Sequence, residues 1–67
     1  MKIEKAWEEF ERGNIPSTNV LKLMLNQVTT AADYLYMRVK HYGWATYIDA
    51  RQVQHKLEDL IKLREEK

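Results

Sequence analysis

Two glycines and one proline interrupt a chain that otherwise consists mostly of helix-forming residues: Gly13, Pro16 and Gly43. Proline stops a helix and glycine commonly follows the last helical residue, so these positions divide the chain into three segments. Within each segment apolar residues recur three or four positions apart, which is the period of an amphipathic helix. The sequence therefore predicts one small all-α domain over residues 1–67. Its helices are expected at about 2–12, 18–42 and 46–65.

The first predicted helix is short and carries its apolar side chains on one face. That face consists of Ile3, Ala6, Trp7 and Phe10. Gly13 suits the left-handed residue that ends a helix. Because large aromatic side chains are usually buried, Trp7 and Phe10 are expected to anchor this helix to the rest of the domain.

The second predicted helix is long and begins after Pro16. Three candidate N-cap residues follow the proline: Ser17, Thr18 and Asn19. Thr30 and Asp33 form a capping-box pattern, so a break near Thr29 is an alternative to one continuous helix. We favour continuity because the apolar pattern is unbroken across that point. The face expected to enter the core comprises Leu21, Met24, Leu25, Val28, Ala31, Ala32, Leu35, Val39 and Tyr42.

A second apolar stripe lies on the opposite side of this helix, which an ordinary surface helix would not carry. It consists of Leu23, Tyr34 and Met37, aligned with Thr30 and His41. Because both sides of the second helix are apolar, a single packing partner could not bury them both.

The third predicted helix follows a turn at Gly43. Thr46 and Asp49 form a capping-box pattern that would start this helix. The competing interpretation is one helix running through Gly43, since a lone glycine costs only about 1 kcal/mol against alanine. We favour the turn because Gly43, as the end of one helix, and Thr46, as the N-cap of the next, indicate the same break. One narrow apolar stripe then follows: Ala50, Val53, Leu57, Leu60 and Ile61.

Matching these faces predicts that the third helix covers the broad face of the second in an antiparallel hairpin. The first helix would fold back and cover only the neighbourhood of Leu23. Tyr34, Met37 and His41 would stay exposed, beside Trp44 and Ile48 at the turn. A chain of 67 residues buries only about 60% of its unfolded surface. We therefore expect the hairpin to self-associate into a helical bundle.

The composition argues against several classes of function. The net charge is +1, with 11 basic and 10 acidic residues, so the whole chain does not attract polyanions strongly. The absence of cysteine excludes disulfides and thiolate zinc sites and fits a reducing compartment. We expect a cytoplasmic protein, because no run of about 20 apolar residues could span a membrane and the N-terminal residues lack the apolar run of a secretory signal.

No pattern in the sequence points to catalysis, a metal or a cofactor. His55 with Glu58 and Asp59 reverses the Glu-x-x-His order of carboxylate-bridged metal bundles, and a solvated helix face explains it. His41 near a helix C-terminus fits a residue that compensates the helix dipole. No glycine-rich loop could hold a phosphate group. The sequence therefore predicts a protein that is not an enzyme, without catalytic residues, metal or cofactor.

Tyrosine, tryptophan, methionine and arginine are enriched at the centres of protein interfaces, and they cluster near the turn. We expect a small interaction module, such as an adaptor, inhibitor or co-chaperone-like regulator, that binds a protein partner. The residues expected to bind it are Tyr34, Met37, Arg38, His41, Trp44 and Ile48. The alternative is a helical dimer that binds nucleic acid, because aromatic and basic residues alternate in this region. That interleaved set is Tyr34, Tyr36, Arg38, Lys40, His41, Tyr42, Trp44, Tyr47 and Arg51.

Overall fold

A computed structural model describes residues 3–66, and over this part of the chain the protein contains helices and no strand. This confirms the predicted all-α class. The four helices are α1 (Ile3–Glu11), α2 (Thr18–Met37), α3 (Val39–Tyr42) and α4 (Trp44–Glu65). The predicted first residue of the first helix, at position 2, lies outside the described residues. The long helix predicted over 18–42 is divided into α2 and α3.

Helix α1 ends in the glycine-dependent way that the sequence predicts. Gly13 has a φ of 91°, which an L side chain rarely adopts. The Gly13 N–H donates to the Phe10 carbonyl at 3.0 Å, and the Asn14 N–H donates to the Glu9 carbonyl at 2.9 Å. These two bonds form a Schellman motif, which satisfies carbonyls that the end of the helix would leave unpaired.

Ser17, the first of the three candidate caps, caps helix α2, which begins at Thr18 and continues past Thr29. The Ser17 hydroxyl accepts a bond from the Val20 N–H at 3.4 Å. Thr30 lies within the continuous helix, and its hydroxyl donates to the Asn26 carbonyl at 3.0 Å, one turn earlier. The preference for a continuous helix at this point is confirmed.

The interruption occurs instead at Arg38, and the prediction of one helix to residue 42 is wrong. Arg38 has φ −121° and ψ 31°, and its N–H is shared between the Tyr34 and Leu35 carbonyls at 3.2 Å each. In an unbroken helix, residues eight apart are separated by about 12 Å along the axis. The bend lets the rings of Tyr34 and Tyr42 approach to 6.0 Å between centres. It also packs α3 against α4.

Gly43 alone connects α3 to α4, so the turn is where the sequence predicts it. Its φ of 87° and ψ of 157° fall in a region open almost only to glycine. Its N–H bonds the Val39 carbonyl at 2.7 Å, and its carbonyl accepts from the Tyr47 N–H at 3.4 Å. The predicted Thr46 cap is wrong, because the chain turns fully at Gly43 and α4 already begins at Trp44.

Helices α2 and α4 form the main packing layer, and their contacts run in opposite sequence order. Arg64 near the end of α4 donates to the Pro16 carbonyl just before α2. Lys22 and Glu65 form an ion pair at 3.6 Å. Near the other end, Arg51 pairs with Asp33. The core cluster between the helices comprises Ala6, Leu21, Met24, Val28, Leu57 and Ile61. The predicted apolar faces of the first and last helices are confirmed as buried or half-buried.

Helix α1 does not cover Leu23, which stays 61% exposed, so that prediction is wrong. The Trp7 indole N–H donates to Gln27 Oε1 at 2.6 Å, and the Lys56 ammonium lies 5.2 Å from the centre of the Phe10 ring. The short helix therefore contacts both α2 and α4. This position buries Ala6 completely in the shared core, which contact with the isolated Leu23 side chain could not do.

Two residues of the predicted core face of the second helix are also exposed, Ala31 and Tyr42. Tyr42 lies beyond the bend at Arg38, so its side chain no longer follows the helical spacing that places residues of α2 on the core face. None of the helices within residues 3–66 combines the length and the apolar character needed to span a bilayer.

Candidate functional site

The first aromatic cluster lies across the bend between α2 and α3. The rings of Tyr34 and Tyr42 are tilted against each other, and the Arg38 guanidinium lies 4.9 Å from the centre of the Tyr34 ring. Hydrogen bonding with Tyr34 raises the pKa of Tyr42 above its ordinary 10.0, and the charge of a Tyr34 phenolate acts in the same direction. The positive charge of Arg38 opposes this shift. The three side chains therefore influence one another although they are exposed to solvent.

The second aromatic cluster joins the end of α2 to the start of α4. The Tyr47 ring lies 5.4 Å from Tyr36 and 5.9 Å from Trp44, centre to centre, and the latter pair is T-shaped. Such edge-to-face contacts are favourable beyond the area they bury. Tyr47 is half-buried, whereas Tyr36 and Trp44 stay largely exposed. This cluster therefore fixes the orientation of the Trp44 indole without removing it from the surface.

Arg51 ties the second cluster to α2. Its Nε donates to the Tyr47 hydroxyl at 2.9 Å, and its terminal nitrogens donate to Gln54 Oε1 at 2.6 Å and to Asp33 Oδ1 at 3.0 Å. The bond to Tyr47 is the main reason that the pKa of Arg51 is raised, and Asp33 adds to it. With these donors engaged, Arg51 has a structural role and is poorly placed to bind a phosphate.

The structure exposes all six residues predicted to bind a partner but does not join them in one contact cluster. We refer to Tyr34, Met37, Arg38, His41, Trp44 and Ile48 together as the turn-end surface. Tyr34 and Arg38 contact each other in the first cluster, and Trp44 belongs to the second. Met37, the last residue of α2, is 82% exposed.

Sequence reasoning missed three tyrosines that organise these clusters. Tyr42 was assigned to the core face, while Tyr36 and Tyr47 entered only the nucleic-acid alternative. The partnership of Tyr36 with Tyr47 joins two helices and leaves no spacing signal in the sequence. The contact of Tyr42 with Tyr34 depends on the bend at Arg38, where the sequence has neither glycine nor proline.

A groove lies far from the turn-end surface, between α2 and the end of α4. Its volume is about 470 Å³, with Leu25 and Ile61 as apolar lining. The other lining residues are Glu58, Lys62, Glu65 and Glu66. These four side chains are exposed to solvent. The Glu58 carboxylate also lies 3.5 Å from His55, between Oε1 and Nδ1. We place the candidate site on the turn-end surface instead, because its exposed side chains include tyrosine, tryptophan and arginine, which dominate the energetics of protein interfaces.

Within residues 3–66 no three side chains of histidine, aspartate or glutamate are grouped so that they could hold a metal ion. Comparison with protein-family models, with curated proteins and with solved structures found no match to this chain. Its function is therefore inferred from the surface chemistry described above.

Proposed function

We propose that the protein is a small non-enzymatic interaction module, an adaptor, inhibitor or co-chaperone-like regulator, that binds a protein partner through the turn-end surface. The observation that carries the proposal is the exposure of large apolar side chains around the turn. Met37 is 82% exposed and Trp44 is 59% exposed, and Tyr34 and Ile48 lie in the same region. Tyrosine, tryptophan and methionine are enriched in protein interfaces, so their exposure together in this segment is typical of an interaction site.

The contacts of the surrounding side chains support this role. Trp44 is held against Tyr47, and Arg38 lies against Tyr34. Side chains that are ordered before binding lose less conformational entropy when a partner arrives. Aromatic and arginine side chains are also those that most often dominate interface energetics.

In this proposal, α2 and α4 act as an antiparallel hairpin that presents the surface at its closed end. The chain also self-associates around Leu23 of α2, which is 61% exposed and lies outside the turn-end surface. Burying that side of the helix would add stability to a chain whose own core is small. A mass measurement in solution tests this part independently of partner binding.

The test of the proposed function compares the wild-type chain with two matched aspartate variants. Met37→Asp places a charge in the turn-end surface, and Leu63→Asp places one on a 62% exposed leucine near the end of α4. Both sites are solvated, so both variants should keep wild-type helicity by circular dichroism. A photo-reactive amino acid at Ile48 would cross-link the bound partner covalently and report the contact site directly.

We expect the wild-type and Leu63→Asp proteins to form the same cross-linked product in a lysate of the source cells. Met37→Asp should lose it, because a buried unpaired charge at an interface centre is costly. Equal cross-linking by all three proteins would refute the proposal. Loss of helicity in Met37→Asp would also contradict it, because that result would assign Met37 to the core.

A further inference from the structure

The segment that forms the turn-end surface contains no carboxylate. None of the chain's 10 aspartates and glutamates lies within residues 34–48, although this segment includes Arg38 and Lys40. The carboxylates that border it are Asp33 and Asp49. Asp33 is already paired with Arg51 at 3.0 Å, so one of the two is engaged within the molecule.

Within residues 3–66, the two cations of the segment are not paired with a carboxylate. The ion pairs among residues 3–66 involve Arg12, Lys22, Arg51 and His55 as their basic members. Arg38 and Lys40 are exposed, and within that part of the chain neither is paired with a carboxylate. The Tyr34 ring beneath Arg38 limits the freedom of the guanidinium, so less entropy is lost when it binds an anion.

Cations that are unpaired within residues 3–66 and exposed apolar side chains, chiefly Met37, Trp44 and Ile48, therefore occur together in the segment 34–48. We infer that the turn-end surface binds an acidic protein segment, with aspartate or glutamate facing Arg38 and Lys40 and apolar side chains facing Met37 and Trp44. Complementary charge steers association and excludes wrong partners, while the apolar contacts supply most of the affinity. The inference rests on the proposed function and adds the chemistry of the partner.

Nucleic acid fits the same surface less well. Two cations, Arg38 and Lys40, give little counterion release, which is the main source of affinity for a polyphosphate. Arg51, the next basic residue along the chain, is engaged by Tyr47, Gln54 and Asp33. The aliphatic Ile48 and Met37 side chains also offer no flat face for a base to stack on.

The first test uses a library of random peptides, each displayed on its own messenger RNA. Peptides that bind the immobilised full chain are kept, and those that also bind the Met37→Asp variant are then removed. We expect the retained peptides to be enriched in aspartate and glutamate together with leucine, phenylalanine or tryptophan. Retained peptides that are neutral or basic would overturn the inference while leaving the proposed function standing. Failure to find any peptide that distinguishes the two proteins would overturn both.

The second test measures binding of one retained peptide, labelled with fluorescein, by anisotropy. Arg38→Glu/Lys40→Glu should weaken binding about tenfold or more, because two attractive charge pairs become repulsive. The control Lys5→Glu/Lys62→Glu changes the net charge equally at exposed sites outside the surface and should bind within about twofold of wild type. Equal weakening by both double variants would overturn the inference, because it would show an effect of net charge alone.

Two further outcomes identify other occupants and would also overturn it. The first is a wild-type protein that binds oligothymidylate more tightly than the peptide, with a steep loss between about 50 and 200 mM salt. The second is a wild-type dimer that Arg38→Glu/Lys40→Glu converts to monomer by light scattering, which would make a second copy of the chain the occupant.

Discussion

Replacement of Leu57 by alanine tests the packing on which the position of every surface residue depends. Leu57 is fully buried on α4, in the cluster that also receives Ala6 of α1 and Met24 of α2. Deleting a buried leucine side chain to alanine costs about 2–5 kcal/mol, from lost transfer free energy and from the cavity that remains. At about 0.05–0.15 kcal/mol per residue, the free energy of unfolding of a chain of 67 residues is about 3–10 kcal/mol. The variant should therefore lose a large fraction of its stability.

The assay is equilibrium unfolding in urea, followed by circular dichroism and by tryptophan fluorescence. Trp7 lies on α1 and Trp44 at the start of α4, so single-tryptophan variants report separately on α1 and on the turn between α3 and α4. Both signals should change at the same urea concentration if the domain unfolds in one step. Separate transitions would mean that α1 leaves the core before α2 and α4 come apart.

Leu63→Ala is the matched control, because it makes the same change on the same helix at a 62% exposed position. It should alter the free energy of unfolding by no more than about 0.5 kcal/mol. If Leu57→Ala leaves too little stability to measure, Ile61→Val at a buried site should cost about 0.5–1.5 kcal/mol. A cost for Leu57→Ala as small as that for Leu63→Ala would refute the three-helix packing described above.

Two further predictions concern the turn and the first aromatic cluster. Gly43→Ala should lower the free energy of unfolding by about 1–3 kcal/mol. Backbone strain alone causes this loss, since nothing lies within 4 Å of the added methyl group. Urea unfolding measures the loss, and an unchanged midpoint would contradict the strained φ. Tyr42 should titrate above pH 10.0 in the wild-type chain and closer to it in Tyr34→Phe, as followed by NMR of the ring carbon that bears the hydroxyl. Because the folded pKa is raised, the stabilising contribution of Tyr42 is complete below the unfolded pKa and is lost as the pH rises through the folded value. A Tyr42 titration unaffected by Tyr34→Phe would show that the two hydroxyls do not interact.

The sequence by itself determined which segments are helical and most of what they bury. Gly13, Ser17 and Gly43 act through local backbone conformation and local hydrogen bonds, so their residue types alone indicate where helices start and stop. The spacing of the apolar residues likewise identified Leu21 and Leu57 as core residues, because a helix of fixed period places residues three or four apart on one side. The exposure of Met37 follows from the same geometry.

Only the tertiary structure decided where the chain bends and how the aromatic residues divide. Arg38 carries no local signal for a break, and the bend there accompanies the packing of α3 on α4. The position of α1 was equally hidden, because a short apolar helix can be buried at several places, and only the structure shows that Ala6 enters the shared core. The pairs Tyr34 with Tyr42 and Tyr36 with Tyr47 follow from these choices. Helical periodicity is a local property of the chain, whereas contacts between helices depend on their relative placement, which no spacing within one helix encodes.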